Sequence, residues 1–219
     1  QSEFNLYLIE QELRGRFPDL DLEIVLGDIC DKITASTTFD RFRPDIVFHA
    51  AAYKHVPLLE RQTREVVKNN ILGTRIMADC ASESGCRTFV LISTDKAVHP
   101  TSFMGACKRV GEIYCQALDT QSKTRFVTVR FGNVLGSTGS VVPKFTAQIR
   151  EGGPVTVTHP DILRYFMTIT EASQLILEAS SVGKGGEVFV LDMGEPIRID
   201  YLARQMIKLS GKIPGKNIE

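Results

Sequence analysis

Several features that would assign this 219-residue chain to other classes of protein are missing from its sequence. Its 26 Lys and Arg residues balance its 26 Asp and Glu residues, so no net field favours nucleic acid or an anionic membrane as partner. No apolar run approaches the roughly 20 residues that a membrane-spanning helix needs. The sequence has no Asn-x-Ser/Thr, and its cysteines form no CxxC pair: Cys30, Cys80, Cys86, Cys107 and Cys115. An odd, scattered set of cysteines favours reduced thiols and a cytoplasmic location over a disulfide framework.

The short motifs of several catalytic sites are also missing. No G-x-S-x-G occurs, which excludes a nucleophile elbow. The histidines have no metal-ligand spacing, so no metal site is predicted: His49, His55, His99 and His159. His49 lies within an apolar run, and we interpret it as a hydrogen-bonded core histidine.

What is present is an alternation of strand-like and helix-like segments. Hydrophobic residues make up 43% of the chain and charged residues 24%, as in ordinary soluble globular proteins. The apolar and β-branched runs predict strands at residues 22–26, 46–52, 89–92 and 126–129, with the second covered on both faces. Helical spacing predicts helices at residues 4–16, 33–42, 66–84 and 102–118, the first capped by Ser2 and stopped by Gly15. This order predicts βαβ units and a parallel sheet.

The residue composition changes beyond about residue 131, where glycine, serine and turn-forming residues become frequent. Helices are predicted at residues 171–181 and 199–209, and a strand at residues 187–191. We therefore predict an α/β protein in which residues 1–130 form a Rossmann-like, doubly wound parallel sheet. Residues 131–219 are predicted to form a smaller α/β lobe that binds substrate.

A polar cluster follows the apolar run 89–92. It consists of Thr94, Asp95 and Lys96, and the next helix presents Met104 and Lys108 one turn apart. Ligands bind outside the carboxyl ends of strands in open α/β sheets, so this is where chemistry is expected. Each residue alone is commonplace, but the set places an acid, a base and a second cation around one point. Two partly desolvated lysines would have lowered pKa values, so one could act as a neutral base near pH 7.

Three further segments are candidates for ligand binding or for plain packing. The strand ends at Gly27-Asp28-Ile29 and at residues 50–52 carry small residues that would let a flat ligand approach the backbone, and an acid there could accept from an adenine amino group. A tight turn and a close helix–strand contact are the structural alternative for both. Asn70, in the middle of a predicted helix, needs partners for both its donor and its acceptor, which a neighbouring strand backbone would supply. A structural and a functional role for Asn70 both remain open.

Long stretches of the chain resemble one enzyme family. The segments VFHAAAYKHVPLLE, NNILGT, ISTDKAVHPTSFMGACKR and RFGNVLGSTGSVVPKF resemble the extended short-chain dehydrogenase/reductases, and more closely the bacterial polysaccharide-biosynthesis nucleotide-sugar 4,6-dehydratases. With SEFNLYLIEQEL, GDI, HPDILRYFMTITEA and VLDMGEPIRI, the matching segments cover nearly the whole chain. The resemblance implies NAD as cofactor and a UDP-sugar, such as UDP-N-acetylglucosamine, as substrate.

The resemblance also implies a role for each matching position. The residues implied to bind the cofactor are Asp28, Ile29, Ala50, Ala51, Ala52, Lys54, Asn70 and Lys108. The residues implied at the catalytic centre are Thr94, Asp95, Lys96, Met104 and Lys108. The residues implied to hold the UDP-sugar are Asn133, Ser140, Val141 and Arg164, of which Arg164 has a planar fork suited to a diphosphate.

The family reaction is compatible with these groups. A hydride passes from sugar C4 to NAD, and the resulting ketone acidifies the proton on C5. Lys96 is the candidate base for that proton, and Asp95 is the candidate acid that protonates the departing C6 hydroxyl. The hydride then returns to C6, so the protein's contribution is positioning and electrostatics.

The chain departs from the family pattern in three places. Met104 stands where the YxxxK tyrosine is usual, which resembles the long, membrane-anchored branch of the family; Thr94 with Asp95, or a water, is then the expected route for the C4 hydroxyl proton. No G-x-G-x-x-G occurs, and the family's glycine-rich turn would lie just before SEFNLY. The family's R-P-G-E-K-L segment would lie beyond residue 219.

These departures lead to expectations about the chain itself. We expect its sheet to lack the first βαβ edge, and we expect the chain alone to bind NAD weakly and to turn over little or nothing. Apolar surface exposed at that edge favours a homo-oligomer. We expect no membrane contact from this chain, although upstream segments of a parent protein could anchor it at the inner membrane.

Other functions remain compatible with the sequence. The protein could be a C5-inverting dehydratase or an epimerase acting on a related UDP-sugar. It could also be a non-catalytic domain that serves a structural or partner-binding role. The pathway, whether capsule, O-antigen or another glycan, is left open.

Overall fold

The computed structural model describes residues 2–137 and 139–218 and divides the chain into two compact units. The first unit contains the residues up to Ile92, Lys96–Thr128 and Lys184–Glu187. The second unit contains Ser93–Asp95, Val129–Gly183 and the residues from Val188 onwards. Most of the chain before about residue 130 thus lies in the first unit and most of the rest in the second. Two short segments are exceptions: Ser93–Asp95 belong to the second unit and Lys184–Glu187 to the first.

The first unit holds most of the main sheet and the helices that pack on it. Its helical segments are α1 (Glu3–Arg16), α2 (Lys32–Phe42), α3 (Val56–Leu59), α4 (Thr63–Val67), a π-helical turn (Lys68–Gly73), α5 (Thr74–Glu83) and α6 (Phe103–Asp119). Its strands are β1 (Ile46–His49), β2 (Thr88–Thr94) and β3 (Arg125–Phe131), of which the last two continue into the second unit.

The main sheet has the strand order β1-β2-β3-β7, where β7 is Val188–Val190. Strands β1 and β2 run parallel, with Ile46 opposite Thr88 and His49 opposite Leu91. Phe89 and Phe126 from neighbouring strands are fully buried, with their ring centroids 5.4 Å apart. The α/β class and the parallel sheet predicted from the sequence are confirmed.

Two predicted strands and one predicted helix end need correction. Residues 22–26 form no strand, because their β-like pattern finds no partner strand in the described part of the chain. The strand predicted at residues 46–52 ends at His49, and it is not covered on both faces: as the edge of the sheet, it leaves Ile46 37% and Phe48 42% exposed. Gly15 lies inside α1, which continues to Arg16, while the predicted cap by Ser2 is present.

The second unit contains three helices and short strands. They are β4 (Asn133–Val134), α7 (Val141–Arg150), β5 (Leu163–Arg164), β6 (Phe166–Met167), α8 (Ile169–Val182), β7, β8 (Ile197–Arg198) and α9 (Ile199–Leu209). Strand β4 pairs in parallel with β6, and β5 pairs antiparallel with β8. Helices α7 and α9 pack together through a core built around Phe145, Ile199 and Ala203. Among the described residues, no helix is both long enough and apolar enough to cross a membrane.

Candidate functional site

The predicted polar cluster lies at the carboxyl end of β2. Thr94 is the last residue of that strand, and Asp95 and Lys96 belong to the one-turn 3₁₀ helix that follows it. The Thr94 hydroxyl donates to the Asp95 carboxylate over 2.8 Å. A buried strand therefore delivers a hydroxyl, a carboxylate and an ammonium in three consecutive positions, although Lys96 belongs to the first unit and the other two to the second.

Helix α6 begins against the backbone of this turn. Ser102 caps the helix by accepting from the Gly105 amide, and the Glu60 carboxylate accepts from the Phe103 amide over 2.8 Å. A side chain at position 105 would collide with the carbonyl oxygen of Lys96, so glycine is what permits the close approach. The two caps fix the start of the helix that carries Met104 and Lys108.

Met104 lies in the core rather than at the surface of a cleft. It is buried in an apolar cluster with Leu59, Val66 and Cys107, which come from α3, α4 and α6. The contacts that the structure shows for Met104 are packing contacts. Its thioether carries no proton to exchange. Its place in the reaction remains a proposal.

Met104→Tyr is expected to destabilise the protein by about 1–3 kcal/mol, because a larger ring and a hydroxyl must enter a filled apolar cluster. Urea unfolding at pH 7 measures the change. The matched control is Met104→Leu, which keeps the volume and should cost less than about 1.5 kcal/mol. A tyrosine variant as stable as the wild type would show that the cluster has room for the ring.

Lys108 is a buried lysine whose ammonium lacks an internal acceptor. The residue is 7% exposed, and no hydrogen bond or ion pair joins its side chain to the described residues. Burial lowers the pKa of Lys108 from 10.5 to about 8, while Cys115 and Glu112 act in the opposite direction. The sequence analysis expected lowered pKa values for partly desolvated lysines, and burial is the largest cause of the lowered pKa of Lys108.

Asn70 lies in the π-helical turn and holds the loop that follows β1. Its side chain accepts from the Tyr53 amide over 2.8 Å and donates to the Tyr53 carbonyl over 2.9 Å. Both sides of the amide are thus satisfied by backbone, as predicted, although Tyr53 lies just beyond the strand. These two hydrogen bonds tie the loop after β1 to the π-helical turn.

His49 is the buried, hydrogen-bonded histidine that the sequence predicts. Its Nε2 lies 3.0 Å from the Thr74 hydroxyl, which itself donates to the Asn70 carbonyl. Because that hydroxyl proton is already used, Nε2 must be the donor to Thr74. Burial, with a smaller effect of Lys108, lowers the pKa of His49 to about 3, so the ring is neutral.

The two segments of small residues predicted at strand ends, Gly27-Asp28-Ile29 and residues 50–52, differ in the structure. The Asp28 carboxylate accepts from the Cys30 amide over 2.8 Å, which closes a tight turn, and the side chain of Ile29 packs on Gly73, where a Cβ would collide with it. After β1, Ala50, Ala51 and Lys54 are exposed residues, and Ala52 is half-buried. The first segment therefore carries the structural role, and the exposure of the second leaves space for a ligand.

The four residues assigned to the sugar nucleotide lie in the second unit. Ser140 precedes α7 without forming a cap bond, and its buried hydroxyl oxygen lacks a partner within the described part of the chain. Val141 is the first residue of α7 and packs against its core, while Asn133 pairs with Phe166 across β4 and β6. Arg164 is exposed and donates to the Leu163 carbonyl.

Sequence reasoning missed the groups that support these residues. Glu60 accepts from the Phe103 amide, and Thr74 contacts His49, each on a different element. The local sequence pattern does not predict either contact. Glu112, fully buried on α6, could have been noticed from its spacing of four residues from Lys108. Within the described residues, no cluster of His, Cys, Asp and Glu could hold a metal ion.

Comparison with known sequences gives one family match over the whole chain. The profile of a family described as "Polysaccharide biosynthesis protein" matches residues 1–219. The capsular polysaccharide biosynthesis protein CapD of Staphylococcus aureus is 52% identical over 96% of this chain, which spans 36% of that protein. A UDP-glucose 4-epimerase of Rickettsia akari is 35% identical over 92% of this chain, which spans 59% of it.

Comparison with solved structures supports the fold. The X-ray structure of Pen from Bacillus thuringiensis is 34% identical with a TM-score of 0.90, and the match covers this whole chain and 68% of that one. A dTDP-glucose 4,6-dehydratase of Streptomyces venezuelae, DesIV, solved with NAD bound, has a TM-score of 0.87 at 19% identity. That match covers 96% of this chain and 70% of DesIV, and it shows a shared Rossmann-like fold.

Proposed function

The chain belongs to the polysaccharide biosynthesis protein family, and we propose that it carries the catalytic centre of an NAD-dependent nucleotide-sugar 4,6-dehydratase. The substrate in this proposal is a UDP-N-acetylhexosamine, with UDP-N-acetylglucosamine as the first candidate, and the product is its 4-keto-6-deoxy sugar. The chain spans about a third of the curated relative CapD, so this activity is proposed for the protein and not read from its fold. The observation that carries the proposal is the consecutive Thr94, Asp95 and Lys96 at the end of a buried strand.

The first unit has groups that fit a dinucleotide cofactor. The Lys108 ammonium, buried and without an acceptor in the described chain, would gain one from a ribose hydroxyl. The exposed backbone after β1, held in place by Asn70, leaves room for the cofactor beside residues 50–52, with Asp28, Ile29 and Lys54 as further contacts. When bound, NAD supplies reversible hydride transfer.

The chain's own residues supply the proton chemistry in this proposal. With C4 of the sugar as a ketone, Lys96 removes the acidified C5 proton. The Asp95 acid gives a proton to the C6 hydroxyl as the C6–O bond breaks, so that water leaves. Thr94, hydrogen-bonded to Asp95, is positioned to pass on the C4 hydroxyl proton in place of the tyrosine that Met104 replaces.

The second unit has groups that fit the sugar nucleotide. The first turn of α7 presents backbone amides beside the unpartnered Ser140 hydroxyl, and such helix starts favour phosphate groups. The exposed Arg164 has a planar guanidinium that can bind a diphosphate through two hydrogen bonds. Asn133 and Val141 complete the proposed contacts to the substrate.

An epimerase is the second candidate, because one relative carries that name at 35% identity. It would share hydride removal at C4 but would return the hydride there without loss of water. A C5-inverting dehydratase differs only in the face of C5 that is reprotonated. A non-catalytic, partner-binding domain would show no turnover at all.

The proposal also places the protein in the cytoplasm as a homo-oligomer, with any membrane anchor outside this chain and no nucleic acid as partner. All five cysteines are free thiols, which supports the location. Helix α6 presents Phe103, Val110 and Ile113 to solvent on one stripe, which supports association of copies. Light scattering that gives the mass of one chain at high concentration would contradict the oligomer.

Incubation of the protein, as its gene encodes it, with NAD and UDP-N-acetylglucosamine tests the function; the 219-residue chain alone is expected to turn over little or nothing. We expect a product lighter by one water, with a ketone at C4, a methyl at C6 and no net change in NAD. NMR of the product at C5 separates a retaining from an inverting dehydratase. A product of unchanged mass would favour the epimerase, and no product with any UDP-N-acetylhexosamine would contradict the proposal.

A further inference from the structure

Met193, in the loop after β7, binds the backbone of another segment and has no role in the proposed reaction. The Gly132 amide, just beyond β3, donates to the Met193 thioether over 2.8 Å. Two residues earlier on each segment the bond joins backbone groups, since the Leu191 amide donates to the Arg130 carbonyl over 3.0 Å. The Met193 side chain therefore continues the contact between the ends of β3 and β7, with a sulfur in the place of a backbone carbonyl.

Packing at Gly132 adds to this hydrogen bond. A Cβ added at Gly132 would lie 3.1 Å from the Met193 sulfur and 3.4 Å from the Cβ of Tyr165. The φ angle of Gly132 is not positive, so the close approach of these two side chains, and not the backbone conformation, accounts for the glycine. A thioether is a weak acceptor, and close packing keeps it on the Gly132 amide.

The loop that carries Met193 is itself a tight turn. The Asp192 carboxylate accepts from the Gly194 amide over 2.9 Å, and Gly194 has a φ of +66°, which favours glycine. The chain then enters β8, where Ile197 lies opposite Arg164 of β5. One short segment, residues 192–197, therefore reaches Gly132 through the Met193 side chain and Arg164 through strand pairing.

The two positions that this segment reaches are next to proposed substrate contacts. Asn133 directly follows Gly132, and its amide donates to the Tyr165 carbonyl over 3.1 Å. Arg164 directly precedes Tyr165, so Asn133 and Arg164 are carried by backbone segments that bind each other. A ligand that contacts both residues needs their spacing fixed before it binds, and the groups that support them supply this.

We propose that Met193 is a positioning residue for the nucleotide diphosphate of the substrate: its thioether holds the Gly132 backbone and so fixes the spacing of Asn133 from Arg164. The identity of the ligand rests on the proposed function, but the hold on the Gly132 backbone does not. A methionine that only filled space would affect stability without changing the affinity for the nucleotide.

Calorimetric titration of UDP into the protein, as its gene encodes it, tests the proposal. In Met193→Leu, which keeps the volume but removes the acceptor, we expect UDP to bind about five- to tenfold more weakly. Met193→Gln should restore most of the affinity, because its amide oxygen can accept from Gly132. Met206→Leu is the matched control, a half-buried methionine in the core between α7 and α9, and should leave the affinity unchanged.

Hydrogen–deuterium exchange at the Gly132 amide tests the hold on the backbone without any ligand. Mass spectrometry with fragmentation to single residues reads the exchange. We expect exchange about fivefold or more faster in Met193→Leu, because the amide loses its acceptor, and no change in Met206→Leu.

An unchanged UDP affinity in Met193→Leu would overturn the proposal, and so would a Met193→Gln variant as weak as Met193→Leu. If Met193→Leu fails to fold, Gly132→Ala decides: its added methyl should push Met193 and Tyr165 apart and weaken UDP binding, and unchanged binding would overturn the proposal. A protein that neither binds UDP nor turns over would contradict the proposed function and the role in binding. Faster exchange at Gly132 in Met193→Leu would then still support the hold on the backbone, so the two failures are distinguishable.

Discussion

Replacing Lys108 with methionine is expected to stabilise the protein at pH 7 by about 3 kcal/mol and to lower the proposed activity. Folding lowers the pKa of this lysine from 10.5 to about 8, because the ammonium is buried, with no acceptor among the residues that the structure describes. Each unit of that shift corresponds to about 1.4 kcal/mol of cost to the folded state while the group is charged. Methionine fills the same space without a charge, so the cost disappears.

The effect has a defined dependence on pH. Between pH 8 and 10.5 the folded state binds fewer protons at Lys108 than the unfolded state, so stability from this group rises with pH. Below pH 8 both states are protonated and the full cost applies. The gap in unfolding free energy between Lys108→Met and the wild type should therefore be largest at pH 7 and shrink by pH 9.5.

Urea unfolding at pH 7 and pH 9.5 measures this gap, with Lys123→Met, at an exposed position, as the matched control. The control should change stability little at either pH. In the proposed enzyme, Lys108→Met should also lower kcat/KM by about 10²-fold or more, because the cofactor is no longer held in its reactive position. A variant that is less stable than the wild type at pH 7 would contradict the account of Lys108 as a strained, functional lysine.

Lys96→Met and Asp95→Asn are each expected to lower kcat by about 10²–10⁴-fold, and at different steps. Without the Lys96 amine, the C5 proton has no base, so a C4 ketone can form but its C5 position does not exchange with solvent. Without the Asp95 acid, C5 exchange continues but the C6 hydroxyl is a poor leaving group. The two variants should therefore separate proton removal from water loss.

Mass spectrometry of the sugar after incubation in D₂O distinguishes the two steps. We expect deuterium at C5 without water loss in Asp95→Asn, and neither change in Lys96→Met. Lys123→Met again serves as control and should turn over like the wild type. Exchange at C5 that persists in Lys96→Met would show that another group is the base.

The sequence predicted best the features that depend on local chemistry. Helix α1 begins after Ser2 because a hydroxyl there can cap it, and α9 occupies residues 199–209 as its apolar spacing indicates. Asn70 needed partners for both ends of its amide, and Tyr53 supplies them. Such requirements can be read from residue types and spacing alone.

Features that depend on distant neighbours could not be predicted in this way. Residues 22–26 look like a strand, but strand formation requires a partner that a local pattern does not specify. Met104 joins an apolar cluster whose other members are up to 45 positions away, from Met104 to Leu59. The depth at which Lys108 is buried follows only from packing.

The central claim is that Thr94, Asp95 and Lys96 serve a reaction in which hydride leaves C4 and returns to C6. UDP-N-acetylglucosamine carrying deuterium at C4, incubated with the protein and NAD, tests it most directly. The account predicts a 4-keto-6-deoxy product with that deuterium in the C6 methyl group. Deuterium retained at C4 in a product that has lost no water would contradict it.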